Sequence, residues 1–469
     1  MVGIGSYGAY IPIHRMGKGT VGWRGRIEKA VAYFDEDTIT MAVAATINCL
    51  RDFDKNTIDA LCFATTTSPY LQKQAGVTIA TAADLRKGIP CIDITNSLKS
   101  GTTALRVAVD MVKAGSAKKV LVVASDLRIP QAGSAFEQIF GDGATAFIVE
   151  DSDIVANIEN SCSTSDEVLD EWREEGGSIQ TWEDRFVLEE GYDKIFYEAV
   201  SAFMNENSLT PKDFSKVVLY SPNARRHGTM SKRLGFDPKV QVQDPLFATV
   251  GHTGVASTLM ALVAALETAK GGDRILLANY GDGADIFQLQ ATDGIEKIKG
   301  RRGIKTYLEG PKKIISDYLK YARWRGLIDI AAAARREAVP MSSASALRRD
   351  NDKNLRFYGV KCNHCGYPQF PPQRVCTKCH SKDNFDPYPF SDKKGVIFTF
   401  SGDFLGDIPD PPAILSIVNF EGGGRAKLFA TDCEISELQI GIPVEMTFRR
   451  FHSAGGIHAY HWKCELMRE

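Results

Sequence analysis

From residue 1 to about 330, stretches with apolar residues at helical spacing alternate with short, nearly unbroken apolar runs. Residues 39–50 and 103–114 carry the helical spacing. Residues 60–66 and 119–125 (KVLVVAS) are continuous apolar runs of strand length. Runs of that kind are buried on both faces, and their alternation with helices predicts an α/β fold with a covered sheet. The N-terminal MVGIGSYGAYIPIHRMG is apolar without a basic region ahead of it, so it is expected to be a first strand and not a signal peptide.

The pattern repeats. Residues 101–125 read GTTALRVAVDMVKAGSAKKVLVVAS, and residues 254–280 read GVASTLMALVAALETAKGGDRILLANY. Each has a glycine start, a helix, a lysine-and-glycine stop and an apolar strand. Gly141-Asp142-Gly143-Ala144 recurs as Gly281-Asp282-Gly283-Ala284, in the same order relative to the other parts. Four features in one order point to a duplicated body, halves 1–165 and 166–330, with the repeated helices packed centrally.

After residue 326 the composition shifts. Residues 328–338 read as a short Ala/Arg-rich helix, 340–345 as a linker and 348–354 as a charged stretch, so 331–354 is expected to connect two domains. From residue 355 onward the pattern is all-β. Short strands are expected at 395–404, 413–420, 427–431, 443–449 and 458–465, separated by Gly, Pro and Asp. Five such strands suggest an OB-fold barrel over 391–469. Residues 355–390 carry Cys362-x-x-Cys365 and Cys376-x-x-Cys379, which is the spacing of a zinc ribbon. Four thiolates complete a tetrahedral Zn²⁺ site, so the metal is expected to be structural and His364 and His380 are not needed as ligands.

Composition narrows the remaining classes. The 469 residues leave room for two to four domains, and a net charge of -2 excludes the electrostatic footprint of a nucleic-acid-binding protein. No apolar run approaches the ~20 residues that span a bilayer. Six of the ten cysteines are scattered singly, which favours a reducing, cytoplasmic setting over a disulfide framework.

Several segments of the body carry a family resemblance. They are 3–12 (GIGSYGAYIP), 37–45 (DTITMAVAA), 94–105 (ITNSLKSGTTAL), 167–173 (EVLDEWR), 220–226 (YSPNARR), 251–256 (GHTGVA), 280–284 (YGDGA) and 316–327 (SDYLKYARWRGL). On these the body resembles hydroxymethylglutaryl-CoA synthase of the thiolase superfamily, which implies a layered α-β-α-β-α body, a homodimer and coenzyme A as part of the substrate. The C-terminal region resembles the zinc-ribbon/OB-fold proteins that accompany thiolases and related synthases, which are associated with acyl-CoA binding.

The departures from that family bear on chemistry. The resemblance aligns the family's nucleophilic Cys with Leu98, in a register held by Gly101-Thr102-Thr103-Ala104; a one-residue slip would put Ser97 there. Its acid/base Glu aligns with Thr67 and its catalytic His with Tyr220. Leu98 offers no nucleophile, so covalent acyl transfer lacks its first requirement. Cys91 and Cys162 read as buried structural thiols. The resemblance leaves Tyr220, His252 and Asn223 as polar groups at catalytic positions, with Leu98 and Thr67 lining the acyl site and Arg225 and Arg226 near the CoA phosphates.

Three functions follow as expectations. The first is a C–C lyase or synthase that works on a CoA thioester by aldol, retro-aldol or Claisen-type chemistry without acylating itself. The second is an acyltransferase with a relocated nucleophile. The third is a non-catalytic acyl-CoA-binding scaffold, alone or with a further thiolase-type subunit.

Overall fold

The computed structural model describes residues 1–467 apart from 183, 329–340, 342 and 406–407, and only the backbone of residue 184. Its chain forms two compact units. One comprises 1–32, 41–80 and 85–322, and the other comprises 33–40, 81–84 and the C-terminal region from 323.

The first unit is built on a nine-stranded sheet. Its order is Lys216–Leu219, Arg274–Tyr280, Gly283–Ala291, Ala156–Ser165, Gly3–Tyr10, Gly143–Glu150, Lys119–Asp126, Ala60–Ala64 and Cys91–Ile94. Read outward from the middle, both directions give the same sequence of pairings. Gly3–Tyr10 is antiparallel to Gly143–Glu150, which is antiparallel to Lys119–Asp126, which is parallel to Ala60–Ala64. Ala156–Ser165 is antiparallel to Gly283–Ala291, which is antiparallel to Arg274–Tyr280, which is parallel to Lys216–Leu219. The two halves meet through a short pairing, Gly3 with Asn157 and Ile4 with Ala156. This is the duplication that the repeated motif predicts, with Cys91–Ile94 as an extra edge strand of the first half.

The repeated helices are Ser100–Lys113 and Ser257–Thr268, each preceding the equivalent strand of its half. They come together because Gly101 has no side chain: a Cβ there would sit 2.6 Å from the Val255 carbonyl oxygen. The second helix does not begin at Gly254, where the repeat starts, but at Ser257, after a separate turn at Gly254–Ala256. Asp126 explains the delay. Its carboxylate accepts the Val255 N–H at 3.0 Å and occupies the space a Cβ on Gly254 would need, so this stretch is held to the first half before the helix can start. The repeated Gly-Asp-Gly turns also diverge: Asp142 is fully buried and accepts the Ala32 N–H, whereas Asp282 is exposed.

In the second unit, Tyr358–Cys362 pairs with Pro368–Gln369 and Phe385–Pro389 to form the ribbon sheet. The barrel closes in the order Gly395–Asp403, Ala413–Phe420, Arg425–Ala430, Ile457–Leu466 and Pro443–Ala454. These are the five expected strands, the last pair running beyond their apolar stretches into a hairpin that ends with Ala454 paired to Ile457. The same unit buries an ionic cluster, in which Arg449 meets Glu36 at 2.6 Å and Asp432 at 2.7 Å while Lys463 meets Asp35 at 2.8 Å. Pairing on several sides is what makes burial of these charges tolerable. The expected helix at 328–338 lies almost wholly outside the described residues. The end of the expected linker and the charged stretch are not extended: Ala344–Arg349 is helical, in keeping with the helix propensity of Ala, Leu and Arg, and one further helical turn follows at Asn351–Asn354.

Candidate active site and zinc centre

Tyr220 directly follows the Lys216–Leu219 strand, with its N–H bonded to the Ala278 carbonyl at 2.9 Å and its side chain buried. Its ring meets His252 edge-on at 5.4 Å between centroids, Tyr280 at 5.9 Å and Tyr192 at 6.1 Å. Leu98, in the turn that enters the first repeated helix, packs against the buried core cluster to which Tyr192, Tyr220 and Tyr280 belong. Its carbonyl accepts the Asn279 side-chain amide at 3.2 Å, and Gly281 lies so close that a Cβ there would be 3.2 Å from the Leu98 Cβ. The two halves of the duplication thus bring Tyr220, His252 and Leu98 to one locality.

A cavity of about 620 Å³ opens beside Tyr220. Tyr192, Tyr280, Asn223, Asp170 and Glu171 share its wall with Tyr220. Asn223 caps the Ala224–Arg233 helix, its Oδ1 accepting the Arg226 N–H at 3.0 Å. Asp170 and Glu171 were not among the residues the sequence singled out for chemistry, although 167–173 is one of the segments that carry the family resemblance. Asp170 shares a hydrogen bond with the Tyr280 hydroxyl, and burial pushes its carboxyl up to about 6. Glu171 forms an ion pair with Arg128, which is only 3% exposed and also lies 3.9 Å over the Phe140 ring.

The proton positions follow from these surroundings. Burial, helped by the Arg128 charge, lowers His252 to about 3, so the imidazole is neutral at physiological pH. Its Nδ1 accepts the Gly254 N–H at 3.2 Å, which assigns the ring proton to Nε2 and makes that atom a donor. Tyr220 is pushed well above the usual tyrosine value, first by burial and then by Glu171, so its hydroxyl keeps its proton. Two neutral donors therefore lie ring against ring, and one of them, Tyr220, shares a cavity wall with a carboxyl that is ionised at neutral pH and takes up a proton slightly below it.

The other expected site residues are placed differently. Thr67 donates to Asp126 Oδ1 at 2.9 Å and accepts the Leu127 N–H at 2.9 Å, within a network that also ties Thr65 and Thr66 to Asp126. Arg226 forms an ion pair with Asp193, whereas Arg225 is exposed. Burial raises Cys91 to about 11 and also raises Cys162, so neither supplies a thiolate. Ser97 Oγ accepts the Lys99 N–H at 3.4 Å.

In the second unit, Cys362, Cys365, Cys376 and Cys379 bring their sulfurs within 4.8 Å of one another. The Cys362–Cys379 and Cys365–Cys376 Sγ separations are 3.7 and 3.6 Å. Tetrahedral coordination at a Zn–S distance of ~2.3 Å requires sulfurs about 3.8 Å apart, which these two pairs match, so the four thiols are gathered as a Zn²⁺ site needs. Such a site is closed and structural.

Comparison with known proteins gives these features a context. Residues 92–166 match the family of 3-oxoacyl-[acyl-carrier-protein] synthase III, residues 204–288 match its C-terminal family, and residues 353–385 match the ChsH2 rubredoxin-like zinc ribbon. Hydroxymethylglutaryl-CoA synthase of Methanosphaera stadtmanae is 30% identical, the match covering 70% of this chain and 99% of that protein. The synthase of Pyrococcus horikoshii is 32% identical, covering 69% and 96%. Among solved structures, a hydroxymethylglutaryl-CoA synthase complexed with CoA matches 69% of this chain and 89% of its own, with a TM-score of 0.60 and 18% identity. Synthase III from Aquifex aeolicus covers 62% of this chain at a TM-score of 0.55 and 22% identity, the same fold again. The body of this chain belongs to the hydroxymethylglutaryl-CoA synthase family of the thiolase superfamily, here followed in one polypeptide by a zinc ribbon and a barrel.

Proposed function

We propose that this protein makes or breaks a carbon–carbon bond next to a CoA thioester without acylating itself. The observation that carries the reading is a cavity with Tyr220 and the Asp170 carboxyl on its wall, the neutral His252 ring lying 5.4 Å from the Tyr220 ring, in a chain whose resemblance to the family aligns Leu98 with the nucleophile. Enolate chemistry needs a base and an oxyanion site, and it needs no nucleophile.

In the cleavage direction, the Asp170 carboxylate takes the proton of a hydroxyl on Cβ. The Cα–Cβ bond breaks, a carbonyl product leaves, and the electron pair passes through Cα onto the thioester oxygen. His252 Nε2–H and the Tyr220 hydroxyl stabilise that oxygen. The proton on Asp170 then returns to Cα, leaving a shortened acyl-CoA. Synthesis is the reverse. Asn223 supports this wall by fixing the start of its helix, while Leu98 excludes water from the acyl group. Thr67 acts only through the Asp126 network.

The CoA phosphates are assigned to the side of Arg225 and Arg226. Arg225 carries the larger share, since Arg226 already has Asp193 as a partner. Arg225→Glu should weaken CoA binding roughly tenfold, read by calorimetry; unchanged affinity would move the phosphates elsewhere. The active form is read as a cytoplasmic homodimer, as in the thiolase superfamily. No helix of the described residues is long and apolar enough to cross a membrane.

The test of the mechanism is Tyr220→Phe, which removes one oxygen and preserves the ring packing. Turnover of an acyl-CoA should fall by roughly 10²-fold or more, whereas Leu98→Ala should shift substrate preference and retain turnover. A fully active Tyr220→Phe protein would overturn the assignment.

A further inference from the structure

We propose that Asp126 is a positioning residue for His252: it fixes the turn that presents the Gly254 N–H to the imidazole, and so sets which ring nitrogen carries the proton. This role matters for turnover through the reading proposed above, in which His252 Nε2–H is a donor to the thioester oxygen.

The His252 backbone is held without Asp126. Its N–H donates to the Ile139 carbonyl at 2.7 Å, and its carbonyl accepts the Gly141 N–H at 3.1 Å. The ring packs near those of Tyr220, Phe247 and Phe140, at 5.4, 6.0 and 6.3 Å between centroids. Packing of this kind does not tell one imidazole nitrogen from the other. The Gly254 N–H does, because it donates to Nδ1 at 3.2 Å and leaves the proton to Nε2.

That N–H meets the ring because of the turn. Gly254 has φ +60°, a left-handed conformation that glycine adopts without steric cost. The next residue is held to the first half at both ends. Asp126 Oδ2 accepts the Val255 N–H at 3.0 Å, and the Val255 carbonyl oxygen leaves no room for a Cβ on Gly101. Asp126 is itself immobilised. It is fully buried at the end of its strand. Its Oδ1 accepts the Thr65 hydroxyl, the Thr66 N–H and the Thr67 hydroxyl at 2.9, 2.7 and 2.9 Å, and its Oδ2 accepts the Thr66 hydroxyl at 2.9 Å besides Val255.

This arrangement requires a carboxylate. Each oxygen accepts one backbone N–H, Thr66 on Oδ1 and Val255 on Oδ2. A hydroxyl can turn from donor to acceptor, but a backbone N–H cannot. An Asn amide, in either orientation, would set its own N–H groups against one of the two.

The test is NMR of the full-length protein with ring-¹⁵N histidine at pH 7.5, the His252 signals being identified by their loss in His252→Gln. The wild-type ring should show the Nε2–H tautomer. Asp126→Asn should show both tautomers, and its turnover should fall roughly tenfold or more. Thr66→Val removes a hydroxyl from the same carboxylate but keeps both backbone donors, so it should keep the wild-type ring pattern. If Asp126→Asn does not fold, Gly254→Ala is read in its place, since its Cβ would stand 2.1 Å from Asp126 Oδ2 and break the same contact from the other side. A wild-type ring protonated on Nδ1, a variant ring still wholly Nε2–H, or an equal change in Thr66→Val would overturn the inference. A changed tautomer with unchanged turnover would uphold it and instead remove His252 from the proposed reaction.

Discussion

Asp170→Asn is expected to lower turnover by about 10²–10⁴-fold, the range that a positioned general base contributes. The substitution is nearly isosteric, and the Asn side-chain oxygen still accepts from the Tyr280 hydroxyl, so the cavity wall keeps its shape. Folding stability should not fall. Burial raises the Asp170 carboxyl to about 6, so the folded protein holds its protonated form better than the unfolded chain does. That contribution is present at low pH and is lost as pH rises through about 6. Above that pH the ionised, buried side chain costs stability, and Asn removes the cost. Activity runs the opposite way: a base works when deprotonated, so the wild-type rate should rise through a limb near pH 6, which the variant should lack. A variant with full activity and the same acid limb would remove Asp170 from the mechanism.

Cys376→Ser should abolish stoichiometric zinc and unfold the C-terminal unit while the thiolase-like body stays folded. Four thiolates at tetrahedral spacing contribute apparent binding free energies of about 10–16 kcal/mol in isolated zinc modules, and that energy is folding energy for the module. The ribbon strands around the site are short, Pro368–Gln369 being only two residues long, so they have little hydrogen bonding to fall back on. Elemental analysis should find one zinc per chain in wild-type protein and less in the variant. Limited proteolysis should then cut the variant within 344–467 and spare 1–32, 41–80 and 85–322. Wild-type protein purified without chelator and found free of zinc would contradict the site, as would a variant that retains zinc and resists proteolysis.

Much of the architecture is legible in the chain because it rests on short-range pattern. Lys119–Asp126 is recognisable as an unbroken apolar run, the barrel strand Ala413–Phe420 by its alternation, and the zinc ribbon by two paired cysteines at fixed spacing. The duplication is legible because helix, stop, strand and turn recur in order. The chemistry is less so. Thr67 occupies an acid/base position by alignment, but its neighbour in space is Asp126, which is distant in sequence and accepts a hydrogen bond from its hydroxyl. Asp170 and Glu171 sit in the acidic stretch 166–175, which looks like a solvated loop; only folding lays them along the cavity beside Tyr280. Arg128 follows a strand and reads as a surface residue, yet it is buried as the counter-ion of Glu171. The raised carboxyl and the lowered imidazole result from burial by residues scattered along the chain, which local pattern does not encode.

The central claim is that this member of a family built around an acylated cysteine works without a covalent intermediate. Intact-protein mass spectrometry during turnover of a substrate acyl-CoA tests it most directly. The expected result is product formation with the protein mass unchanged throughout. An added acyl mass that appears and decays with turnover, mapped to Ser97, Cys91 or Cys162, would contradict it.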